Sequence, residues 1–220
     1  MSSEKTFVFC AKAGNKPMVK VKICGITSLD DALHAVQSGA DALGFVFHEL
    51  SPRNLEPEHA ASIIRALPPF IQVVGLFVNA QVEYVNATAD LCRLDLVQLH
   101  GDETPDYCEL VSRRVIKAFR VRSIDSIEPI RNYRVAGVLL DTYSPGAYGG
   151  TGIIFDWQIA LEAKKTGPVI LAGGLNPGNV RQAVEKVDPY GVDVSGGVEA
   201  APGRKDPDKV TAFIRSAKGF

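Results

Sequence analysis

From Val19 onward the chain alternates short apolar runs with longer stretches in which apolar residues recur every three to four positions. The runs fall at 19–24, 42–47, 72–78, 96–99, 115–120, 137–141, 169–172 and 191–194. They are rich in Val, Ile, Leu and Phe, as strands of a buried parallel sheet are. Between them lie stripes such as Leu29, Ala32, Leu33 and Val36; Ala60, Ile63, Ile64 and Leu67; Val180, Ala183, Val184 and Val187; and Val210, Phe213, Ile214 and Ala217. Each stripe is one face of a helix that packs on a sheet. Asn176-Pro177 and Asp206-Pro207 each put a capping side chain before a proline suited to the first helical turn, and so predict helix starts. Pro129 interrupts the pattern around 124–133 and predicts a short or irregular fifth helix.

Eight βα units of roughly 25 residues each favour a closed barrel over an open doubly wound sheet. The expected fold is therefore α/β, a single-domain (β/α)8 or TIM barrel, with any active site at the C-terminal ends of the strands. A chain of 220 residues with 46% hydrophobic content supports one such core. Residues 1–17 fit none of the pattern. They are expected to be a mobile N-terminal extension ahead of a barrel domain at 18–220, although Phe7-Val8-Phe9-Cys10 has the apolarity to add a strand or to cover the bottom of the barrel.

Charge narrows the partners. Twenty-four Lys and Arg against twenty-five Asp and Glu leave a formal charge of −1 with no basic run, which argues against nucleic acid. No segment approaches the roughly 20 apolar residues of a membrane span, so a cytoplasmic protein is expected. Cys10, Cys24, Cys92 and Cys108 lack CxxC spacing and read as free thiols, and His34, His48, His59 and His100 are scattered without ligand spacing. No metal and no cofactor are expected.

Two glycine-rich junctions follow the last two strands: Gly173-Gly174-Leu175-Asn176, and Ser195-Gly196-Gly197-Val198-Glu199. Barrels commonly hold a substrate phosphate there on bare backbone N–H groups and a short extra helix, so a small phosphorylated substrate is expected. Period-two geometry on the first strand sets Lys20, Lys22 and Cys24 opposite Val19, Val21 and Ile23, which points Cys24 into the barrel mouth. The sixth strand ends in Asp141. Together Cys24 and Asp141 would supply the two proton-transfer groups an isomerase needs. His100 is a candidate polar lining residue, and Asp193, on the strand beside the first, is placed to hydrogen-bond Lys22 or to tune Cys24. Arg53, in the loop after the second strand, has a forked guanidinium suited to a substrate carboxylate. The 142–156 connection, rich in Gly and carrying Tyr143, Pro145 and Tyr148, has the length of a lid.

These residues fall in motifs that resemble those of the phosphoribosylanthranilate isomerase family, in family order. They are Val21-Lys22-Ile23-Cys24-Gly25-Ile26-Thr27, Gly39-Ala40-Asp41 with Gly44-Phe45-Val46-Phe47, Ser51-Pro52-Arg53, Val97-Gln98-Leu99-His100-Gly101, Leu139-Leu140-Asp141, Ala172-Gly173-Gly174-Leu175-Asn176-Pro177 and Val192-Asp193-Val194-Ser195-Gly196-Gly197-Val198-Glu199. The resemblance implies a cofactor-free Amadori rearrangement of N-(5'-phosphoribosyl)anthranilate in tryptophan biosynthesis. It implies Asp141 as general acid and Cys24 as general base, Arg53 on the anthranilate carboxylate and the glycine loops on the phosphate. A monomer or weak homodimer is expected. The nearest alternative is a related sugar isomerase of histidine biosynthesis, which generally uses paired aspartates, and Cys24 argues against it. A non-catalytic phosphosugar-binding module would have no use for both proton-transfer candidates.

Overall fold

A computed structural model describes residues 18–142 and 156–220. The expected N-terminal extension, Cys10 and nearly all of the expected lid lie outside these residues.

Eight parallel strands close into a barrel in chain order: β1 Lys20–Cys24, β2 Ala42–Val46, β3 Gln72–Phe77, β4 Leu96–Leu99, β5 Arg114–Val121, β6 Gly137–Thr142, β7 Val169–Leu171 and β8 Gly191–Val194. Closure comes from β1 pairing with β8, where Lys22 sits opposite Asp193. Around the barrel run α1 Leu29–Gln37, α2 Pro57–Arg65, α3 Val82–Cys92, α4 Pro105–Glu109, α5 Trp157–Ala163, α6 Val180–Val187 and α7 Pro207–Lys218. The expected (β/α)8 barrel is thus the fold.

Where α/β regularity fails, the cause is local. The fifth connection is a 3₁₀ helix, Ile124–Asn132, with Pro129 inside it; proline lacks the N–H that an α-helical interior would use. A reciprocal pair of bonds between Ser123 and Ser126 opens it. Asp206 caps α7 as its sequence predicts, accepting from the N–H groups of Asp208 and Lys209. The helix expected from Pro177 starts later, at Val180. Asn176 Oδ1 accepts from Gly178 N–H instead, and this side-chain bond holds a turn ahead of α6. The eighth connection also contains a short antiparallel hairpin, β9 Glu199–Ala201 with β10 Arg204–Lys205.

Strand alternation divides the interior in two. Val21, Ile23, Val97, Leu99, Val138, Leu140, Val192 and Val194 face outward and join the helix stripes in the main core, which includes the fully buried Phe45, Phe77 and Phe213. Burying a side chain of that size stabilises by roughly 1.5–3 kcal/mol. Inside the barrel a smaller apolar plug of Ile116, Ala118, Leu139, Ile170 and Ala172 forms a floor. Inward positions nearer the C-terminal strand ends carry polar groups, and these build the site.

Candidate active site

A cavity of about 310 Å³ opens at the C-terminal face of the barrel, and its described lining includes Cys24, Arg53, His100, Asp141, Gly173, Gly174, Asp193, Ser195, Gly196 and Gly197. The sequence-predicted site residues therefore converge on one place. Val46, Leu76 and Val78 supply an apolar wall.

Period-two alternation makes Lys22 and Cys24 inward neighbours on β1, with Asp193 across the closing seam of the barrel. Lys22 Nζ lies 2.9 Å from Asp193 Oδ1, and both side chains are buried. Burial works against the Lys22 ammonium, but Asp193 and Cys24 outweigh it and hold it above its ordinary value. Burial pushes the Cys24 thiol up, and the Lys22 ammonium opposes that push. Thiolate character at Cys24 is thus tied to an ammonium two residues away.

Asp141 follows Leu139 and Leu140 and is buried at the end of β6. Its Oδ1 accepts from Thr142 N–H at 2.8 Å, and its Oδ2 lies 3.1 Å from His100 Nε2. On the other side of the ring, Nδ1 lies 2.9 Å from Gln98 Nε2. Gln98 is fully buried, and its Oε1 has no hydrogen-bond partner. The loop bearing His100 is held from behind by the buried pair Lys117 and Glu103, 3.2 Å apart. Lys117 also donates to Gly101 O and Glu103 accepts from Gly101 N–H.

Arg53 is not an open fork. Its Nε and Nη2 donate to the two carboxylate oxygens of Glu199 at 2.8 and 2.7 Å, which leaves Nη1 and the end-on edge outside that pair. Glu199 also accepts from Lys205 Nζ at 2.8 Å, and Lys205 reaches the Cys24 carbonyl oxygen at 2.5 Å. Burial would lift the Glu199 carboxyl, but Arg53 and Lys205 hold it below its ordinary range. The hairpin β9–β10 sets Lys205 opposite Glu199, whose carboxylate holds Arg53.

The two glycine junctions meet at the same end of the cavity. Gly173 has φ +76°, and a Cβ there would fall 2.4 Å from Thr142 N and 2.7 Å from Asp141 Oδ1. At Gly197 a Cβ would fall 2.0 Å from Leu175 O, so the two loops touch backbone to backbone. A 3₁₀ turn, Gly196–Val198, follows Ser195, whose buried Oγ has no partner. The result is a bare peptide rim facing a small polar cavity, a form suited to an anion.

Sequence reading missed Gln98, Glu199 and Lys205 as parts of the site. Gln98 and Glu199 stand inside motifs whose other members drew attention. Lys205 gave no signal, because a lysine in a loop reads as solvated and only the hairpin buries it. In chemical terms the cavity offers two proton-transfer groups, an arginine edge for a carboxylate and a peptide rim for a phosphate.

The family model described as N-(5'phosphoribosyl)anthranilate (PRA) isomerase matches residues 21–216. The N-(5'-phosphoribosyl)anthranilate isomerase of Geobacter sulfurreducens is 70% identical over 203 residues, which cover 92% of this chain and all of the relative. The crystal structure of phosphoribosyl anthranilate isomerase from Thermotoga maritima superposes with a TM-score of 0.88 at 47% identity, covering 92% of this chain and all of that one. A phosphoribosyl anthranilate isomerase solved in complex with reduced 1-(o-carboxyphenylamino)-1-deoxyribulose 5-phosphate superposes with a TM-score of 0.84 at 46% identity, with the same coverage.

Proposed function

The chain belongs to the N-(5'-phosphoribosyl)anthranilate isomerase family, isomerases of tryptophan biosynthesis, and on that premise we propose the residues that perform the reaction here. The substrate is N-(5'-phosphoribosyl)anthranilate and the product 1-(2-carboxyphenylamino)-1-deoxyribulose 5-phosphate. Asp141 is the general acid: it protonates the furanose ring oxygen, the ring opens, and a Schiff base forms. Cys24 is the general base that takes the proton from C2', and the resulting enolamine tautomerises to the ketone. No atoms are gained or lost.

The observation that carries this reading is the convergence of Cys24 and Asp141 on one cavity whose rim is the two glycine loops and whose side holds Arg53. Reduced product bound to a relative of 46% identity supports the substrate class. Gly173, Gly174, Ser195, Gly196 and Gly197 receive the phosphate, and the end-on edge of Arg53 receives the anthranilate carboxylate. His100 and Asp193 line the ribose region; His100 contacts Asp141, and Asp193 holds the Lys22 ammonium. Lys22 supplies the positive charge that a thiolate at Cys24 requires.

The catalytic domain is 18–220, with residues 1–17 an extension to it, and the enzyme acts in the cytoplasm as a monomer or weak homodimer. The test is the fluorescence of the anthranilate-containing substrate followed with purified protein. A first-order change on adding enzyme, slowed at least about 10²-fold in Asp141→Asn, is expected; a flat trace with the wild-type protein would overturn the reading.

A further inference from the structure

His100 stands between two groups that each have two hydrogen-bonding states. Gln98 Nε2 lies 2.9 Å from its Nδ1, and Asp141 Oδ2 lies 3.1 Å from its Nε2. As drawn, the Gln98 amide donates to a bare Nδ1, the ring carries its proton on Nε2, and that N–H donates to a carboxylate. Gln98 Oε1 is then a buried acceptor with nothing to accept.

Turning the amide over gives a second arrangement on the same heavy-atom positions. Oε1 now accepts from Nδ1–H, and the bare Nε2 accepts the proton of a carboxylic acid at Asp141, whose other oxygen still accepts from Thr142 N–H. The ring is neutral in both arrangements and every contact of the triad survives. They differ by one proton on Asp141. On the reading of Asp141 as acid and Cys24 as base, the reaction starts from the arrangement in which Asp141 carries that proton and Cys24 does not.

We propose that Gln98 is a positioning residue for the acid step: the turn of its amide switches His100 between its two neutral tautomers, so that one imidazole holds Asp141 first as carboxylate and then as acid. The proposal rests on the reading of Asp141 as the general acid. It accounts for an amide in a fully buried position where an apolar side chain would fill the same space.

The test uses Asp141→Asn as a frozen copy of the acid, since its NH₂ can only donate where Oδ2 stood. In full-length protein labelled with ¹⁵N-histidine, His100 should carry its proton on Nε2 in the wild type and on Nδ1 in Asp141→Asn. Gln98→Leu should lower kcat about tenfold to a hundredfold, the cost of leaving a buried ring nitrogen of His100 without its partner, with KM within about twofold and product-analogue binding intact. A proton that stays on Nε2 in Asp141→Asn, or a Gln98→Leu enzyme with wild-type kcat, overturns the switch. If Asp141→Asn itself turns over normally, the acid reading has failed instead, so the two failures are told apart.

Discussion

Lys22 Nζ and Asp193 Oδ1 meet 2.9 Å apart across the seam that closes the barrel, and both side chains are shielded from solvent. Removing one member of such a buried pair strands the other, at a cost of about 3–5 kcal/mol. Lys22→Met should therefore lower the thermal midpoint markedly, and Lys22→Met with Asp193→Asn should recover part of the loss. The kinetic consequence has a definite sign. Burial lifts the Cys24 thiol and the Lys22 ammonium opposes it, so loss of that charge lifts the thiol further. The alkaline arm of kcat/KM, where the last proton leaves the pair, should move to higher pH while the plateau falls. An unmoved arm would mean that Lys22 serves the fold alone.

Arg53→Ala should raise KM more than it lowers kcat, because a carboxylate held equally in ground and transition states contributes only to binding. A kcat that collapses while KM holds would reassign Arg53 to the transition state. Glu199→Gln tests how Arg53 is presented, since it removes the charge that engages Nε and Nη2. KM should rise here too, though less. Stability follows the same carboxylate. The folded-state value of Glu199 lies below its ordinary one, so its contribution is present above about pH 4.3 and is lost as pH falls through the folded value. The gap in thermal midpoint between wild type and Glu199→Gln should close in acid; a constant gap would contradict this.

Gly173→Ala puts a methyl group 2.4 Å from Thr142 N and 2.7 Å from Asp141 Oδ1, on a residue at φ +76°. The left-handed backbone alone costs about 1–3 kcal/mol for a side chain that resists it. Relief of the contact must move the Asp141 carboxyl or break its bond from Thr142 N–H. Both stability and kcat should fall, and a variant that loses stability with wild-type kcat would show that Asp141 does not depend on this contact.

The barrel was legible in the sequence because its signal is redundant: eight strands each report the same period, so errors of a residue at one end leave the topology intact. Cys24 and Asp141 were legible because strand ends in a barrel point to the cavity. The hub at Lys205 was not, because it depends on a hairpin whose strands have three and two residues, where no periodicity can build up. Gln98 was hidden for another reason. A glutamine in an apolar run reads as a surface exception, and only the closed barrel makes its inward position fully buried. The late start of α6 came from a competition that spacing does not reveal, between Asn176 as a cap and Asn176 as the acceptor of a turn.

Removal of residues 1–17 should leave kcat/KM within about twofold of the full chain and the thermal midpoint unchanged. The first barrel strand begins at Lys20 and the family match at Val21, so the catalytic unit is expected to function without them. A large fall in soluble yield or midpoint would make the extension part of the fold.

The sharpest expectation concerns Cys24 and Asp141 together. Cys24→Ser replaces a thiol by a hydroxyl that is far harder to ionise, and Asp141→Asn keeps size and polarity while removing the transferable proton. Each should lower kcat by at least the roughly 10²-fold to 10⁴-fold that a general acid or base supplies, with product-analogue binding retained in calorimetry. In the proposed mechanism ring opening and C2' deprotonation are separate steps, so the two losses should act on different transition states. The double variant should then be less than multiplicatively impaired, since once one step is slow enough to limit turnover, slowing the other adds little. Full multiplicativity would place both proton transfers in one transition state. A Cys24→Ser enzyme with near-wild-type turnover would return Cys24 to the part of a small buried side chain and send the search for the base to Asp193 or His100, which line the same cavity.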